Sequence, residues 1–338
     1  MSTKSMLSSA RRVVRHVAVA PLALVAMSCL VASAVCAAVP GEVIAAFQRY
    51  AGQYAVMSPD GRNFKFVTCG GDLTHTGIPR HFINFVVGTN PLPSWYFGSG
   101  GPYMNTELAA SDEDCLRTAV LTNEGNKQFG TSRWSPDGSM VAAYAVEFDL
   151  ASGALLNRGI FIIDVIYEGG RPVAGTNLRF AIPTGADRNF AWSPDSRRIV
   201  YVEAGDNGAD LFMYHLDGGY SFNVTNTPGV AEDQPTFSVD ERIAYTRQSS
   251  EPRGSYRYDI FSIPATGGPE TQITSKATTG SFANMFPCYS PDGRQISFSS
   301  GLLQGERALY RIRFDGSGKA VKIVGSKGQD WRLNFWRR

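Results

Sequence analysis

A four-residue phrase that recurs along this chain constrains its fold more than any other feature. The phrase is Ser-Pro-Asp-Gly, and an aromatic residue precedes it in most copies. Four copies are clear and one, around Ser238, is degenerate. The serines of the five copies are Ser58, Ser135, Ser193, Ser238 and Ser290. Because self-similarity of this kind is typical of repeat architectures, each copy predicts one structural unit.

The phrase has the chemistry of a tight turn between two β-strands. Pro fixes φ for the second position of a type I turn, Asp suits the third, and Gly takes the left-handed position that follows. A segment rich in β-branched and aromatic residues follows each turn. These segments are Asn63–Val67, Met140–Val146, Arg198–Val202, Arg242–Thr246 and Gln295–Ser299.

Two further strands per unit are predicted downstream of each turn. The third strands have similar lengths and offsets, and they are Ile160–Val165, Leu211–Leu216, Ile260–Ile263 and Leu309–Phe314. The fourth strands end in an apolar-Thr step, at Leu121-Thr122, Val224-Thr225 and Ile273-Thr274. Four short strands per unit of about 45 residues predict an all-β fold, the β-propeller. The 35 Gly and 18 Pro then supply turns, and the low charged fraction of 18% excludes disorder and a long coiled coil.

The repeat resembles the TolB-type propeller unit of bacterial periplasmic proteins, which is similar in style to WD-repeat blades. The resemblance covers roughly residues 50–325. It implies a role in the cell envelope, in which one face of the propeller binds a protein partner. TolB proteins carry an α/β domain before the propeller, whereas about 15 residues separate the predicted leader from the first unit here. We therefore expect a TolB-like propeller without that domain.

The predicted propeller extends over residues 40–338. Five units and a sixth partial one predict six blades, with five as the alternative. The partial unit is the segment Asp330–Phe335, which should pair with chain near Val43–Tyr54 because an open ring leaves exposed strand edges. The first unit has a surplus within about residues 69–115, which we interpret as a surface insertion, with a divergent extra blade as the alternative.

Residues 1–37 have the pattern of an export signal peptide. Basic residues up to Arg15 precede the uncharged, Ala-rich stretch Val17–Val39, in which small residues offer cleavage sites. The predicted location is the periplasm, with no stable membrane span after cleavage. An uncleaved anchor and a lipid anchor at Cys29 are alternatives, and the export route (general secretion, twin-arginine or lipoprotein) stays open.

The charge balance argues against a nucleic-acid partner. The chain has 32 Lys and Arg against 30 Asp and Glu, and four of those bases lie before residue 37. The remainder has 28 bases against 30 acids, a net charge of −2. Binding to a polyanion would need a basic surface.

We also expect the protein to be a monomer.

Cysteine and histidine positions bear on disulfides and metals. In an oxidising compartment Cys69 and Cys115 are a candidate disulfide, and Cys288 is expected to be a small buried hydrophobe. His75, His81 and His215 follow no zinc-binding spacing, and no Gly-x-Ser-x-Gly elbow is present. The sequence therefore predicts no metal, no cofactor and no catalytic residue.

The predicted binding surface is the mouth of the propeller channel, where loops enter the first strand of each unit. The polar residues of these loops are Lys127, Arg188, Glu232, Asp233, Asn284 and Asp330. A mixed polar ring suits a peptide or protein ligand. The sequence thus predicts an exported, non-enzymatic protein-interaction propeller. The alternative is a carbohydrate-active enzyme of the lyase type, since some pectin-degrading lyases resemble this propeller.

Overall fold

The computed structural model describes most of the chain after residue 42. The described residues are 43–48, 53–62, 65–67, 72–75, 82–87, 107–112, 118–185, 189–205, 208–251, 255–301, 306–324 and 331–337. All of them belong to one compact unit, Glu42–Arg338. The predicted leader and both cysteines of the candidate disulfide, Cys69 and Cys115, lie outside the described residues.

The regular secondary structure of the described chain is almost entirely β-strand, with a single four-residue helix among the described residues. The first eleven strands are β1 (Val43–Gln48), β2 (Gln53–Met57), β3 (Lys65–Val67), β4 (Asp72–His75), β5 (Phe82–Val87), β6 (Glu107–Asp112), β7 (Thr118–Asn123), β8 (Lys127–Trp134), β9 (Met140–Phe148), β10 (Leu155–Glu168) and β11 (Arg171–Pro183). The next eight are β12 (Phe190–Trp192), β13 (Arg198–Gly205), β14 (Gly208–His215), β15 (Tyr220–Asn223), β16 (Ala231–Phe237), β17 (Arg242–Ser250), β18 (Tyr256–Pro264) and β19 (Thr271–Gln272). Helix α1 (Lys276–Thr279) precedes β20 (Ala283–Tyr289), β21 (Gln295–Gly301), β22 (Arg307–Arg313), β23 (Val321–Val324) and β24 (Trp331–Arg337).

These strands fall into six groups of four within the described part of the chain. Three are separate sheets, in the orders β24-β1-β2-β3, β4-β5-β6-β7 and β8-β9-β10-β11. The other three are β12–β15, β16–β19 and β20–β23, which single parallel pairs join into one sheet, at Ala209 with Ala231 and at Tyr258 with Ala283. The first strands contact one another in the order β4, β8, β12, β16, β20 and β24. This is the arrangement of a propeller, and the number of blades in the ring stays a prediction.

The predicted pairing of the two chain ends is confirmed. β24 is antiparallel to β1, with Ile44 opposite Trp336 and Gln48 opposite Trp331. The group that contains β1, β2 and β3 therefore takes its first strand from the far end of the sequence. Such pairing satisfies a strand edge that would otherwise be exposed.

The surplus in the first predicted unit is not a loop excursion. β4, β5 and β6 lie within residues 69–115 and form a four-stranded sheet with β7. Leu108, Ala109 and Ala110 of β6 are fully buried, so this segment contributes to the core. The structure corrects the surface-insertion interpretation and fits its alternative, a divergent extra blade. The reason is that Phe82–Val87 is an apolar run with strand propensity, although no Ser-Pro-Asp-Gly turn marks the group.

The repeated turn is built as its chemistry predicts. The Ser135 hydroxyl donates to Asp137 Oδ1 at 2.7 Å and accepts from Met140 N at 2.9 Å. Ser290 makes the equivalent pair of bonds with Asp292 and Gln295. Two copies lack the glycine, and their side chains contact the preceding group's turn or strand instead. Ser196 Oγ accepts from the amide of Asp137, and the Glu241 carboxylate binds the Arg198 guanidinium.

The hydrophobic core lies between neighbouring groups. The aromatic residue before the repeated serine is buried at Trp134, Trp192 and Tyr289, as predicted for a side chain that packs between sheets. Trp192 also donates its indole N–H to the carbonyl of Arg133 in the preceding group at 3.0 Å. Cys288 is buried, and its thiol lies 3.7 Å from the Tyr289 carbonyl. Across the described residues, no helix has the length and apolar character needed to cross a membrane.

Candidate binding face

The end of the groups at which connections enter the first strands is called the entry face here. In the group β8–β11 it contains the connection at residues 124–126, the β9–β10 turn at residues 149–154, and the chain that follows Thr184. The amide of Phe148 donates to the Asn126 carbonyl at 2.8 Å, and the amide of Thr184 donates to the Arg158 carbonyl at 3.3 Å. Backbone hydrogen bonds therefore hold these three segments side by side.

The β9–β10 turn and the first two residues of β10 present three leucine side chains to solvent. Leu150 is 72% exposed, Leu155 is 55% exposed and Leu156 is 54% exposed. We call this set the leucine tip. A single exposed leucine is ordinary on a protein surface, whereas neighbouring exposed apolar side chains mark interaction sites.

The backbone of the leucine tip is fixed by Asp149. Its Oδ1 accepts from the amide of Ala151 at 3.1 Å, the amide of Ser152 at 2.7 Å and the Ser152 hydroxyl at 2.7 Å. The hydrogen bonds from Ser152 hold the pKa of Asp149 below its ordinary value. Gly153 adopts a φ of 70° and closes the turn by donating to the Asp149 carbonyl at 2.8 Å. The leucines are thus held on a defined turn.

Lys127 lies at the base of this hairpin and is buried. Its ammonium contacts Glu124 Oε2 at 2.5 Å and Glu147 Oε1 at 2.8 Å. Glu147 also accepts from the side-chain amides of Asn157, at 2.6 Å, and Asn126, at 3.2 Å. Burial opposes the charge on Lys127, but the two carboxylates outweigh it and raise the pKa of Lys127. The hydrogen bond from Lys127 lowers the pKa of Glu147.

Asn284 is the second residue of β20 and is fully buried. Its amide donates to Asp259 Oδ1 at 3.0 Å, and its carbonyl accepts from the Ser300 hydroxyl at 2.8 Å. Asp259 also accepts from Thr274 Oγ1 at 3.1 Å. Because Asp259 belongs to the preceding group, Asn284 joins two groups.

Glu232 and Asp233 are the second and third residues of β16. Glu232 is 1% exposed, and its Oε1 accepts from the Thr227 hydroxyl at 2.8 Å. Asp233 is half-buried, and its Oδ1 accepts from the amide of Gln234 at 2.8 Å. Arg188 and Asp330, the other two predicted residues of the channel mouth, lie outside the described part of the chain.

The four described residues of the predicted polar ring lie in strands and not in loops. Lys127, Glu232 and Asn284 lie within strands, where they pair across to Glu147, Arg247 and Ser300 respectively. Strand pairing extends further toward the entry face than the sequence pattern indicates, so these side chains are buried at joints within and between groups. The sequence interpretation missed the leucine tip. Its signal was a leucine-containing segment, Leu150 to Leu156, between two strand patterns, where polar turn residues are the rule.

Among the residues described, no group of three or more His, Cys, Asp or Glu side chains is placed to hold a metal ion.

Comparison with solved structures identifies the architecture. A structure from Agrobacterium tumefaciens assigned as a TolB superposes with a TM-score of 0.56 at 16% identity, covering 88% of this chain and 97% of that one. The fold is that of a TolB-like β-propeller. A nidogen/laminin complex gives a TM-score of 0.54 at 10% identity, with 88% of this chain and 98% of that chain covered. A puromycin hydrolase gives 0.53 at 17% identity, and the similar region covers 85% of this chain and 46% of that one.

Sequence comparison adds one relative to this TolB-like propeller. No family model matches the chain. A curated protein of Agrobacterium fabrum strain C58, described as uncharacterized protein Atu1656, is 25% identical over 178 residues. The match spans 41% of this chain and 59% of that protein. At these identities the similarities establish the fold, and the function has to be argued from the site.

Proposed function

We propose that this protein is a non-catalytic binding propeller of the bacterial cell envelope, and that a protein or peptide partner binds its entry face. The leucine tip is the observation on which this proposal rests. Leu150 is exposed on a turn that Asp149 fixes, and Leu155 and Leu156 are exposed at the start of the strand that follows. Full burial of a leucine side chain contributes about 1.5–3 kcal/mol. Because the turn is already ordered, little conformational entropy is lost when a partner covers it.

The polar residues near the tip support a scaffold role. Lys127, Glu124 and Glu147 bind one another at the base of the hairpin. Lys127 compensates one of the two glutamate charges, so one net negative charge stays at the base of the hairpin. We infer that the partner presents an apolar patch that covers the exposed leucines.

The proposed location is the periplasm, with the protein working as a monomer of six blades. The basic and then uncharged pattern of residues 1–37 and the TolB-like fold of the remainder support this location. The alternative function, a carbohydrate-active enzyme of the lyase type, would require a saccharide in the channel.

Affinity capture tests the proposal against this alternative. The exported protein is used as bait in envelope extract, and the same preparation is applied to a glycan array. We expect a defined protein to be enriched by the wild type and lost, by at least about tenfold, with Leu155→Ser/Leu156→Ser, since two buried leucines contribute several kcal/mol.

The matched control is Ile166→Ser, which changes an exposed apolar residue at the opposite end of the same strand, β10. The Ile166→Ser variant should enrich the same protein to the same extent as the wild type. Specific glycan binding by the wild type without any protein partner would overturn the proposal and favour the enzyme alternative.

A further inference from the structure

A second feature of the entry face is the buried carboxyl group of Glu232. It lies at the joint between the groups β12–β15 and β16–β19 and is 1% exposed. Its Oε1 lies 2.8 Å from Thr227 Oγ1, and its Oε2 has no hydrogen-bond partner among the described residues. A carboxylate in this position would rely on the hydroxyls of Thr225 and Thr227 to compensate its charge, whereas buried charges normally have a charged partner or several donors.

The Thr227 hydroxyl lies between two carboxyl groups. Thr227 Oγ1 is 2.8 Å from Glu232 Oε1 and 3.2 Å from Asp210 Oδ1, and these two acids belong to different groups. A hydroxyl has one proton and can donate it to only one acceptor at a time. Asp210 is further supplied by the Thr227 amide at 3.0 Å and the Asn223 side-chain amide at 2.7 Å. Asp210 thus accepts from two amide groups in addition to the Thr227 hydroxyl that it shares with Glu232.

A neutral Glu232 satisfies this arrangement. Its O–H can donate to Thr227 Oγ1, whose own proton then goes to Asp210. The carbonyl oxygen that remains on Glu232 costs less to bury without a partner than a carboxylate oxygen does. Each of the two hydrogen bonds, from Glu232 to Thr227 and from Thr227 to Asp210, then contains one proton.

The charged groups around Glu232 disfavour a second negative charge at this joint. Asp210 on β14 faces it, and Glu203 on β13 is the cross-strand neighbour of Asp210. Arg247 on β17 lies opposite Glu232, but its guanidinium binds Glu270, which also accepts from the Tyr245 hydroxyl at 2.5 Å. Burial, reinforced by Glu270 and Asp210, raises the pKa of Glu232 to about 7.

We propose that Glu232 is a proton switch: the neutral acid ties the connection at residues 224–230 to the joint between two groups, and loss of its proton to solvent releases that connection. The inference does not depend on the proposed binding role. The connection holds Thr227 and lies on the entry face, so the switch changes the shape of that face in the pH range near neutrality.

The sign of the pH dependence follows from the raised pKa. Below about pH 4.5 the group is protonated in both the folded and the unfolded chain, and its contribution to stability is complete. Between there and about pH 7 the unfolded chain loses the proton while the folded chain keeps it, so stability falls as pH rises. Above that range the contribution is gone. The unfolding equilibrium constant should rise through this group by on the order of 100-fold.

The test compares unfolding of the wild type and Glu232→Gln at pH 5 and pH 8. Gln mimics the neutral acid and does not titrate. The ratio of the wild-type unfolding constant to that of Glu232→Gln should rise by on the order of 100-fold from pH 5 to pH 8. The control Glu168→Gln changes an exposed glutamate and should show no such growth. An advantage of Glu232→Gln that is equal at both pH values would overturn the proposal.

A carbon-13 NMR titration of the glutamate carboxyl groups covers the case in which unfolding is irreversible. The resonance of Glu232, assigned by its loss in Glu232→Gln, should titrate near neutral pH together with the amides of residues 224–230. Asp210→Asn should lower the midpoint, because it removes a neighbouring negative charge that disfavours ionisation of Glu232. A midpoint at the ordinary value for glutamate, or amides of residues 224–230 that stay unchanged through the titration, would refute the switch.

Discussion

Lys127→Met is expected to lower the free energy of unfolding by about 3 kcal/mol, which is the lower end of the range for breaking a buried ion pair. The side chain of Lys127 is 9% exposed and that of Glu147 is 16% exposed, so the substitution leaves a largely buried carboxylate without its cation. Glu124 is more exposed and can be hydrated, which keeps the loss near the lower limit. Urea unfolding at neutral pH measures the loss.

A double substitution separates the ion pair from simple packing. In Lys127→Met/Glu147→Gln the buried negative charge is absent, and the remaining side-chain carbonyl at position 147 can still accept from the side-chain amide of Asn157. We expect the double variant to recover about 2 kcal/mol relative to the sum of the single losses, which is within the range measured for residues in contact. A loss below about 1 kcal/mol for Lys127→Met would instead indicate a solvent-screened surface pair.

Gly208→Ala is the second substitution with a large expected effect. Gly208 begins β14 with a φ of 152°, and a Cβ at this position would lie 2.2 Å from the carbonyl oxygen of Val230. That carbonyl accepts from the amide of Ala209 at 2.9 Å and belongs to the chain that enters β16. The clash is with backbone and cannot be relieved by a side-chain rotation. We expect a loss of about 4 kcal/mol or more, or failure to fold.

Gly219→Ala is the matched control for backbone strain alone. Gly219 has a φ of 62°, and a Cβ there would meet no atom within 4 Å. Its expected loss is about 1–2 kcal/mol, the cost of a left-handed conformation for a residue with a side chain. Equal losses in Gly208→Ala and Gly219→Ala would contradict the close backbone contact between β14 and the chain before β16.

The features of the fold that sequence could predict are the ones that local chemistry determines. Turns built on Ser135 and Ser290 need only a proline, an aspartate and a glycine in order, and strands follow from β-branched and aromatic runs. The pairing of β24 with β1 was predictable because closing a ring of strands satisfies an exposed edge. The group β4–β7 was not recognised as one because it lacks the turn phrase.

The candidate site was less accessible to sequence reasoning. Whether Lys127, Glu232 and Asn284 are exposed depends on how far each first strand pairs with its neighbour, and that register is set by contacts distant in sequence. The exposure of Leu150, Leu155 and Leu156 depends on the same property, because the pairing of β9 with β10 determines where the turn between them begins and ends. The presence of a leucine in a turn does not by itself indicate whether its side chain is exposed or buried.

Photo-crosslinking in living cells tests the claim that the entry face binds a protein. A photoreactive residue is placed at Leu155, on the leucine tip, and in a separate strain at Ile166, at the opposite end of β10. Both side chains are exposed, so neither substitution disturbs the core. We expect a discrete protein adduct from position 155 and none from position 166. An adduct from position 166 alone, or none from either position, would contradict the claim that the entry face binds a protein.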